Sequence, residues 1–256
     1  MRLCVTADDY GLSAGGNAAI EELTGRGVLS AVSVMVHEGA RLDGVARLAR
    51  DGVAVGLHLV LTRERPLSDA LLGTALVDSD GRLPPDWRAL FARLTRRPWL
   101  LARVREEAEA QLARFSSLGV PLAFVNGHEH VHLWPLLWPM VAGLVTRVPG
   151  AGVRTARDQG WLGPRQAMVA LASRASWALR PLADRPRYSP LGVDDAERLT
   201  HPAIVRLLRA AEKLPSTVIP ELVVHPAHEH ALLSSPEVQA LLARHRERWR
   251  TRERIA

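Results

Sequence analysis

Carboxylates and histidines that could bind a metal ion follow short apolar runs at four places in this 256-residue chain. Asp8 and Asp9 come after the first run, His58 after the second, residues 128–132 after the third and His225 after the fourth. Unpaired charges at the end of a buried strand are costly. A divalent cation or a reacting substrate would offset that cost, so we expect these groups to converge on one site.

Asp9, His58 and one histidine of the 128–132 group supply oxygen and nitrogen ligands that suit a divalent metal ion. Three protein ligands leave coordination positions open, which is typical of catalytic rather than structural metal sites. Imidazole ligands favour zinc, with magnesium as the alternative. Asp8 lies beside Asp9 at a strand end where the chain can turn, and it is a candidate general base.

Short apolar runs alternate with helix-like segments along the chain. The runs predict strands at residues 3–7, 31–36, 53–59, 122–125, 151–154 and 221–224. Helical spacing predicts helices at residues 14–23, 39–50, 99–118, 136–146, 166–179, 201–211 and 236–250. Residues 62–86 contain several prolines and glycines and predict a long loop. This alternation indicates an α/β fold with a parallel sheet, and six or seven such units favour a barrel with its site at the carboxyl ends of the strands.

Three residues are predicted to mark helix ends. Ser13 and Thr200 are expected N-caps, because a hydroxyl oxygen there can accept a hydrogen bond from a free backbone N–H of the first turn. Gly119 is the expected terminator of the helix before it. The sequence contains no internal repeat and no low-complexity linker, so residues 1–256 are predicted to form a single domain.

The composition argues against a nucleic-acid partner although the net charge is +6. Only Lys213 among the 33 basic residues is a lysine, and the arginines are spread among acidic residues rather than gathered in a patch. The single cysteine, Cys4, excludes an internal disulfide and fits a reducing compartment. Neither a signal peptide nor a membrane span is recognisable, so we expect a cytoplasmic protein. The oligomeric state stays open, a homodimer included.

Four motifs resemble the YdjC-like carbohydrate deacetylase family, which includes chito-oligosaccharide deacetylases and a branch associated with hopanoid biosynthesis. They occur in the family's order: Thr-Ala-Asp-Asp-Tyr-Gly-Leu-Ser at 6–13, Gly-Leu-His-Leu-Val-Leu-Thr at 56–62, Asn-Gly-His-Glu-His-Val-His at 126–132 and Val-His-Pro at 224–226. Asn126 departs from the family, which often has an acidic or small residue there.

The resemblance implies a distorted TIM-like (β/α) barrel that binds one divalent metal ion. It also implies hydrolysis of an N-acetyl group from an amino sugar or glycoconjugate, with release of acetate. By their places in the motifs, Asp9, His58 and His128 match the family's metal ligands. Asp8 matches the catalytic base, and His225 matches the histidine that protonates the leaving amine.

Three further residues are weaker candidates for substrate binding. His132 either orients a neighbouring group or lines the pocket, and Trp134 either packs against a helix or stacks on a sugar ring. Arg154 binds either the substrate or a carboxylate of the protein. His228 and His230 have polar neighbours and are predicted to lie in a surface loop.

The same ligand set is compatible with three other functions. A hydrolase of a different amide or ester would use an identical metal site. One aspartate and two histidines also describe a non-haem iron oxygenase, but those enzymes usually have a jelly-roll fold rather than a helix-rich chain. The third alternative is a metal-binding module without catalytic activity.

Overall fold

Seven parallel strands form a closed barrel in the part of the chain that a computed structural model describes, residues 3–156, 164–177, 182, 185–215 and 217–245. The strands are β1 (Cys4–Tyr10), β2 (Ala31–Val34), β3 (Ala54–Leu59), β4 (Phe124–Gly127), β5 (Gly152–Arg154), β6 (Arg187–Leu191) and β7 (Ile219–Val224). Each strand pairs with the next one along the chain, and β7 pairs with β1. The predicted TIM-like barrel of parallel strands is therefore confirmed.

Helices connect these strands. They are α1 (Ala14–Gly25), α2 (Val45–Arg50), α3 (Trp87–Arg96), α4 (Leu101–Ser116), α5 (Trp138–Thr146), α6 (Pro164–Trp177), α7 (His201–Ala211), α8 (Pro226–Leu233) and α9 (Pro236–His245). Shorter 3-10 turns span Asp69–Leu71, Pro98–Leu100 and His128–Leu133. None of the described helices is long and apolar enough to cross a lipid bilayer.

Several predicted element bounds need correction. The helix predicted from Gly39 begins only at Val45, because residues before it form turns around Gly39, whose φ is +81°. Neither α3 nor β6 was predicted, and α8 replaces the surface loop expected around His228. The predicted ends of the 166–179 and 236–250 helices lie outside the described residues.

The predicted helix ends agree with the structure. Ser13 Oγ accepts a hydrogen bond from Gly16 N over 3.1 Å, and Thr200 Oγ1 accepts one from Ala203 N over 3.3 Å. Gly119 follows α4 with φ +68°, a conformation that favours glycine. These local signals were readable from sequence because each depends only on residues within one helical turn.

Small residues surround an aromatic ring at the amino ends of the strands. Phe124 packs there with Cys4, Ala31 and Ala54, all of them buried. Gly56 must lack a side chain, because a Cβ on it would lie 2.4 Å from the Phe124 ring. This apolar end stabilises the barrel and leaves the polar groups at the opposite, carboxyl end.

Two buried polar side chains of α4 fix the segment that follows β3. Glu107 accepts hydrogen bonds from the backbone N–H groups of Leu67 (3.1 Å) and Ser68 (2.7 Å). Gln111 bonds to both backbone groups of Val60, at 2.9 and 2.7 Å, as a neighbouring strand would. Residues 62–86 hold only one 3-10 turn, as predicted for a loop, but this anchoring gives their first residues a defined position beside the barrel.

Candidate metal centre and active site

Three side chains from the carboxyl ends of β1, β3 and β4 converge at one point. Asp9 Oδ1 lies 3.1 Å from His58 Nε2 and 3.2 Å from His128 Nδ1. One ligand atom from each of the three residues lies within 4.8 Å of the others. Atoms at these separations can bind a single cation, and the set of one carboxylate and two imidazoles matches known zinc ligands. The structure therefore brings together the three residues that the sequence singled out.

The ring of His58 is held by groups behind it. Its Nδ1 lies 2.7 Å from Asn126 Oδ1 and 3.0 Å from Ser33 Oγ. When Nδ1–H donates to Asn126, the lone pair of Nε2 faces Asp9 and is available to a metal ion. Hydrogen bonds of this kind set the tautomer and the orientation of metal-binding histidines. The surroundings of His58 thus fit a metal ligand, which is an observation independent of the distances.

The neighbouring carboxylate, Asp8, belongs to a different cluster, which is almost entirely buried. Arg154 donates to both oxygens of Asp8, at 2.6 and 2.9 Å, and to both oxygens of Glu221, at 2.8 and 3.0 Å. Ser33 and Asn126 also donate to Asp8 Oδ1. Burial alone would raise the pKa of Asp8, but the charge of Arg154 and its hydrogen bonds to Asp8 outweigh burial and hold this pKa below its usual range. Asp8 is consequently ionised at neutral pH.

The backbone of Asp9 explains how two adjacent carboxylates serve separate clusters. Its φ is +68°, in the left-handed region, and the pairing of β1 with β2 shifts register between Ala7 and Tyr10. Such bulges change the direction of side chains at strand ends. The strain at Asp9 therefore coincides with its turn toward His58 and His128, as expected where backbone strain serves a site.

Asp9 and His128 influence each other's protonation. Burial would raise the pKa of Asp9, but hydrogen bonds with His128 and His58 lower it well below its usual value. Burial would lower the pKa of His128, but the hydrogen bond to Asp9 and the Asp9 charge raise it. An incoming metal ion would take the place of the proton on His128.

His225 approaches the same group from the start of α8. Its Nε2 lies 4.0 Å from Asp9 Oδ2, and its Nδ1 has no hydrogen-bond partner among the described residues. Glu229 Oε2 accepts a hydrogen bond from the His225 backbone N–H over 2.7 Å. Pro226 follows at the first position of the helix, where its missing N–H has no cost. His225 is thus held at the edge of the cluster with a ring nitrogen toward it.

A cavity of about 570 Å³ opens over these groups. Its wall includes Asp8, Asp9, His58, His128 and His225, the five residues predicted to carry catalysis or bind metal. Charged residues that the sequence did not single out also line it: Arg63, Glu64, Glu129, Glu197 and Arg198. The volume and the polar wall suit a small polar molecule.

The three residues predicted to contact substrate lie off this cavity wall. Arg154 is fully buried beneath it, and His132 Nε2 lies 3.2 Å from the Arg154 carbonyl oxygen. Burial, and after it the Arg154 charge, lower the pKa of His132 to about 3, so its ring is neutral at pH 7. Trp134 stacks on Trp87 with ring centres 5.2 Å apart, next to a separate apolar groove. Substrate binding by these three residues stays a prediction.

Two site residues were missed although the sequence carried a signal for them. Glu221 lies inside the buried apolar run of β7, where an acidic residue needs a cationic partner. Arg154, at the end of β5, is that partner. Asn126 stood out only as a departure from the family, whereas it bridges the Asp8 carboxylate and the His58 ring.

Known proteins resemble this chain in sequence and in fold. The model of the family described as YdjC-like protein matches residues 2–254. A chitooligosaccharide deacetylase from Serratia marcescens is 30% identical over an alignment of 257 positions, which covers 94% of each chain. A carbohydrate deacetylase from Geobacillus stearothermophilus is 38% identical over 161 residues, 61% of this chain and 62% of the relative. A crystal structure from Enterococcus faecalis V583, of a protein proposed to cleave cellobiose phosphate, has a similar fold. The two structures match with a TM-score of 0.72 at 18% identity, over 95% of this chain and 94% of that one.

Proposed function

This chain belongs to the YdjC-like family, and from that membership we propose that it is a metal-dependent hydrolase that removes the N-acetyl group from an amino sugar or glycoconjugate. The observation that carries the proposal is the convergence of Asp9, His58 and His128 within 4.8 Å at the floor of a polar cavity. Relatives that align over 94% and 61% of this chain are named for deacetylation of chitooligosaccharides and carbohydrates.

Asp9, His58 and His128 would hold one divalent ion. Two imidazoles favour zinc over magnesium, which prefers oxygen ligands. When bound, such an ion supplies Lewis-acid stabilisation of negative charge and lowers the pKa of water. The hydrogen bond between His58 Nδ1 and Asn126 supports this assignment, because it leaves Nε2 free to act as a ligand.

Asp8 is proposed as the general base that takes a proton from the attacking water. Arg154 fixes its orientation through two hydrogen bonds and keeps it ionised. A carboxylate with a lowered pKa is a weaker base, but its proton-accepting form is fully populated at neutral pH. The same contacts prevent the side chain from rotating away from the cavity.

His225 is proposed as the acid that protonates the leaving nitrogen. Its ring lines the cavity 4.0 Å from Asp9, and its backbone is tied to Glu229. Histidine can carry a proton near neutral pH, which an acid in this role requires. Loss of the amine and of acetate would complete the reaction.

The alternatives differ in products. An esterase or a different amidase with this site would leave the N-acetyl group of sugars intact. An iron oxygenase would consume oxygen and release no acetate, and its usual jelly-roll fold differs from this barrel. Acetate release from N-acetylglucosamine oligomers and from an N-acetylglucosaminyl lipid, with oxygen consumption followed in parallel, separates the three.

The sharpest variant is Asp8→Asn. Arg154 keeps Glu221 as its partner in that variant, so the buried charge is balanced and folding is expected to persist. We expect acetate release to fall by about 10² to 10⁴-fold, the contribution of general base catalysis, while zinc binding changes little. Asp51→Asn, which removes an exposed carboxylate outside the cavity, is the matched control. Full activity of Asp8→Asn would refute the base assignment.

A further inference from the structure

Left-handed backbone conformations concentrate around the cavity. In the part of the chain that the structure describes, five residues other than glycine have a positive φ: Asp9, Arg63, Glu129, His130 and Glu197. All five line the cavity over the metal-binding group. Such a conformation is unfavourable for a residue with a side chain and persists where the surrounding structure holds it in place. The proposed metal binding accounts for the left-handed conformation of Asp9, but it does not account for that of Glu129.

Glu129 has a buried carboxylate oxygen with nothing to bind. Its side chain is 10% exposed, and it follows the proposed ligand His128 directly. Oε1 accepts hydrogen bonds from Arg63 Nη2 (2.8 Å) and Nε (3.3 Å). Oε2 is buried and has no hydrogen-bond partner among the described residues. A buried acceptor without a donor is unfavourable, so this oxygen calls for a donor from a ligand.

The surrounding charges decide which donor fits. Arg63 already donates to the other oxygen, and Glu197, on the segment after β6, lines the same cavity and adds a second negative charge. Five acidic residues and only two arginines, Arg63 and Arg198, line the cavity, which disfavours an anionic group such as a phosphate at this point. An ionised carboxylate accepts hydrogen bonds only, and hydroxyl groups are the most frequent donors on a neutral acetylated sugar.

We propose that Glu129 is a specificity-determining residue whose Oε2 accepts a hydrogen bond from one hydroxyl group of the acetylated sugar. The identity of the ligand as an acetylated sugar rests on the proposed function. Arg63 occupies Oε1, so Oε2 is the carboxylate oxygen that remains for a ligand. Sugars that lack this hydroxyl, or carry a phosphate on it, are then poor substrates.

The test compares N-acetylglucosamine oligomers with their 3-deoxy, 4-deoxy and 6-deoxy analogues as substrates of the zinc-loaded enzyme. For the wild type, kcat/KM should fall about 10- to 100-fold on one analogue, the loss of one hydrogen bond to a charged group. For Glu129→Ala, kcat/KM on the parent sugar should fall by a similar factor relative to the wild type. It should not fall further when the parent sugar is replaced by that analogue. Equal losses on that analogue for both enzymes, or no loss for any analogue, would overturn the proposal.

Arg63→Gln separates recognition from support of the loop. This substitution breaks the ion pair between Arg63 and Glu129, as Glu129→Ala does, but it retains the Glu129 carboxylate. If Glu129 recognises the hydroxyl, Arg63→Gln still discriminates against the critical deoxy analogue, whereas Glu129→Ala does not. If the pair only holds the loop, both variants behave alike, and the proposal fails. Glu129→Gln, which is isosteric, keeps part of the discrimination through its amide oxygen.

Direct binding keeps this test separate from the test of the deacetylase function. If the wild type releases no acetate from any N-acetyl sugar, the proposed function fails, and calorimetric titration with the same saccharides decides the role of Glu129. A Kd that rises at least tenfold in Glu129→Ala for the parent sugar, but not for the critical deoxy analogue, supports the proposal. Equal affinities, or no saccharide binding by the wild type, would contradict it.

Discussion

Asp8 and Asp9 are adjacent in the chain but belong to clusters of opposite character. The Asp8 cluster, with Arg154 and Glu221, is buried, and the Asp8 side chain is 3% exposed. The Asp9 cluster, with His58 and His128, opens to the cavity, and the Asp9 side chain is 18% exposed.

The difference lies in which atoms already have partners. Arg154 donates to all four oxygens of Asp8 and Glu221, which leaves no strong ligand for a cation. Around Asp9, one oxygen and two ring nitrogens lie within 4.8 Å of one another and can share one cation. The two carboxylates of this barrel therefore differ in what they can do: Asp8 is held in place by Arg154, whereas Asp9 is available to a cation.

Removal of Asp9 should have the largest effect on activity. Asp9→Asn replaces the charged ligand, and the loss of several kcal/mol of charge stabilisation lowers acetate release on the order of 10³-fold. Metal content after dialysis should fall below that of the wild type, while Asp51→Asn retains both metal and activity. An Asp9→Asn protein with full metal content would show that the open cluster has been misassigned.

Removal of Arg154 should break the closed cluster and lower the stability of the protein. Arg154→Met leaves Asp8 and Glu221 buried without their partner, and breaking a buried ion pair costs about 3–5 kcal/mol in the free energy of unfolding. Urea denaturation at pH 7 measures this, with Arg50→Met on the surface of α2 as the control, expected to change stability by about 0.5 kcal/mol. A similar change in both variants would contradict the assignment.

Asn126 connects the two clusters, and its removal should have a smaller effect than the loss of Asp9 or Arg154. Its Oδ1 accepts a hydrogen bond from the His58 ring over 2.7 Å, and its Nδ2 donates one to Asp8 over 3.2 Å. Asn126→Ala should weaken zinc affinity about 10- to 100-fold, the usual effect of losing a hydrogen bond behind a metal ligand. Zinc titration against a chelator measures it. Unchanged affinity would mean that the orientation of His58 does not depend on Asn126.

The smallest effect concerns pH. Asp9 raises the pKa of His128 above 6.5 in the metal-free protein, so the metal ion must displace a proton already at near-neutral pH. Zinc affinity should therefore fall as pH decreases through this raised pKa, by about tenfold per pH unit for one displaced proton. Calorimetry from pH 8 to 6 in buffers of different ionisation enthalpy reports the proton released. Constant affinity over that range would contradict the coupling.

The sequence predicted what depends on local signals and on spaced motifs. The convergence of Asp9, His58 and His128 could be predicted, because parallel strands of a barrel place their carboxyl ends together. The Ser13 and Thr200 caps were readable because each depends on one helical turn. The barrel itself followed from the alternation of apolar runs with helices.

Other features depend on long-range packing. The pairing of Arg154 with Glu221 joins β5 to β7 across 67 positions, and no spacing rule encodes it. Strand β6 contains Pro190, which local propensity disfavours in a strand, yet it pairs with β5 and β7. The left-handed backbone at Glu129 is likewise set by tertiary contacts, since glutamate has no intrinsic preference for it.

The most direct test of the central claim is stepwise reconstitution of the metal-stripped protein. Zinc is added in fractions of an equivalent, and acetate release from N-acetylglucosamine oligomers is measured after each addition. If Asp9, His58 and His128 form the catalytic metal centre, the metal-free protein is inactive and activity rises linearly to a plateau at one zinc ion per chain. Full activity in the metal-free protein, or the same plateau in His58→Gln, would contradict the account.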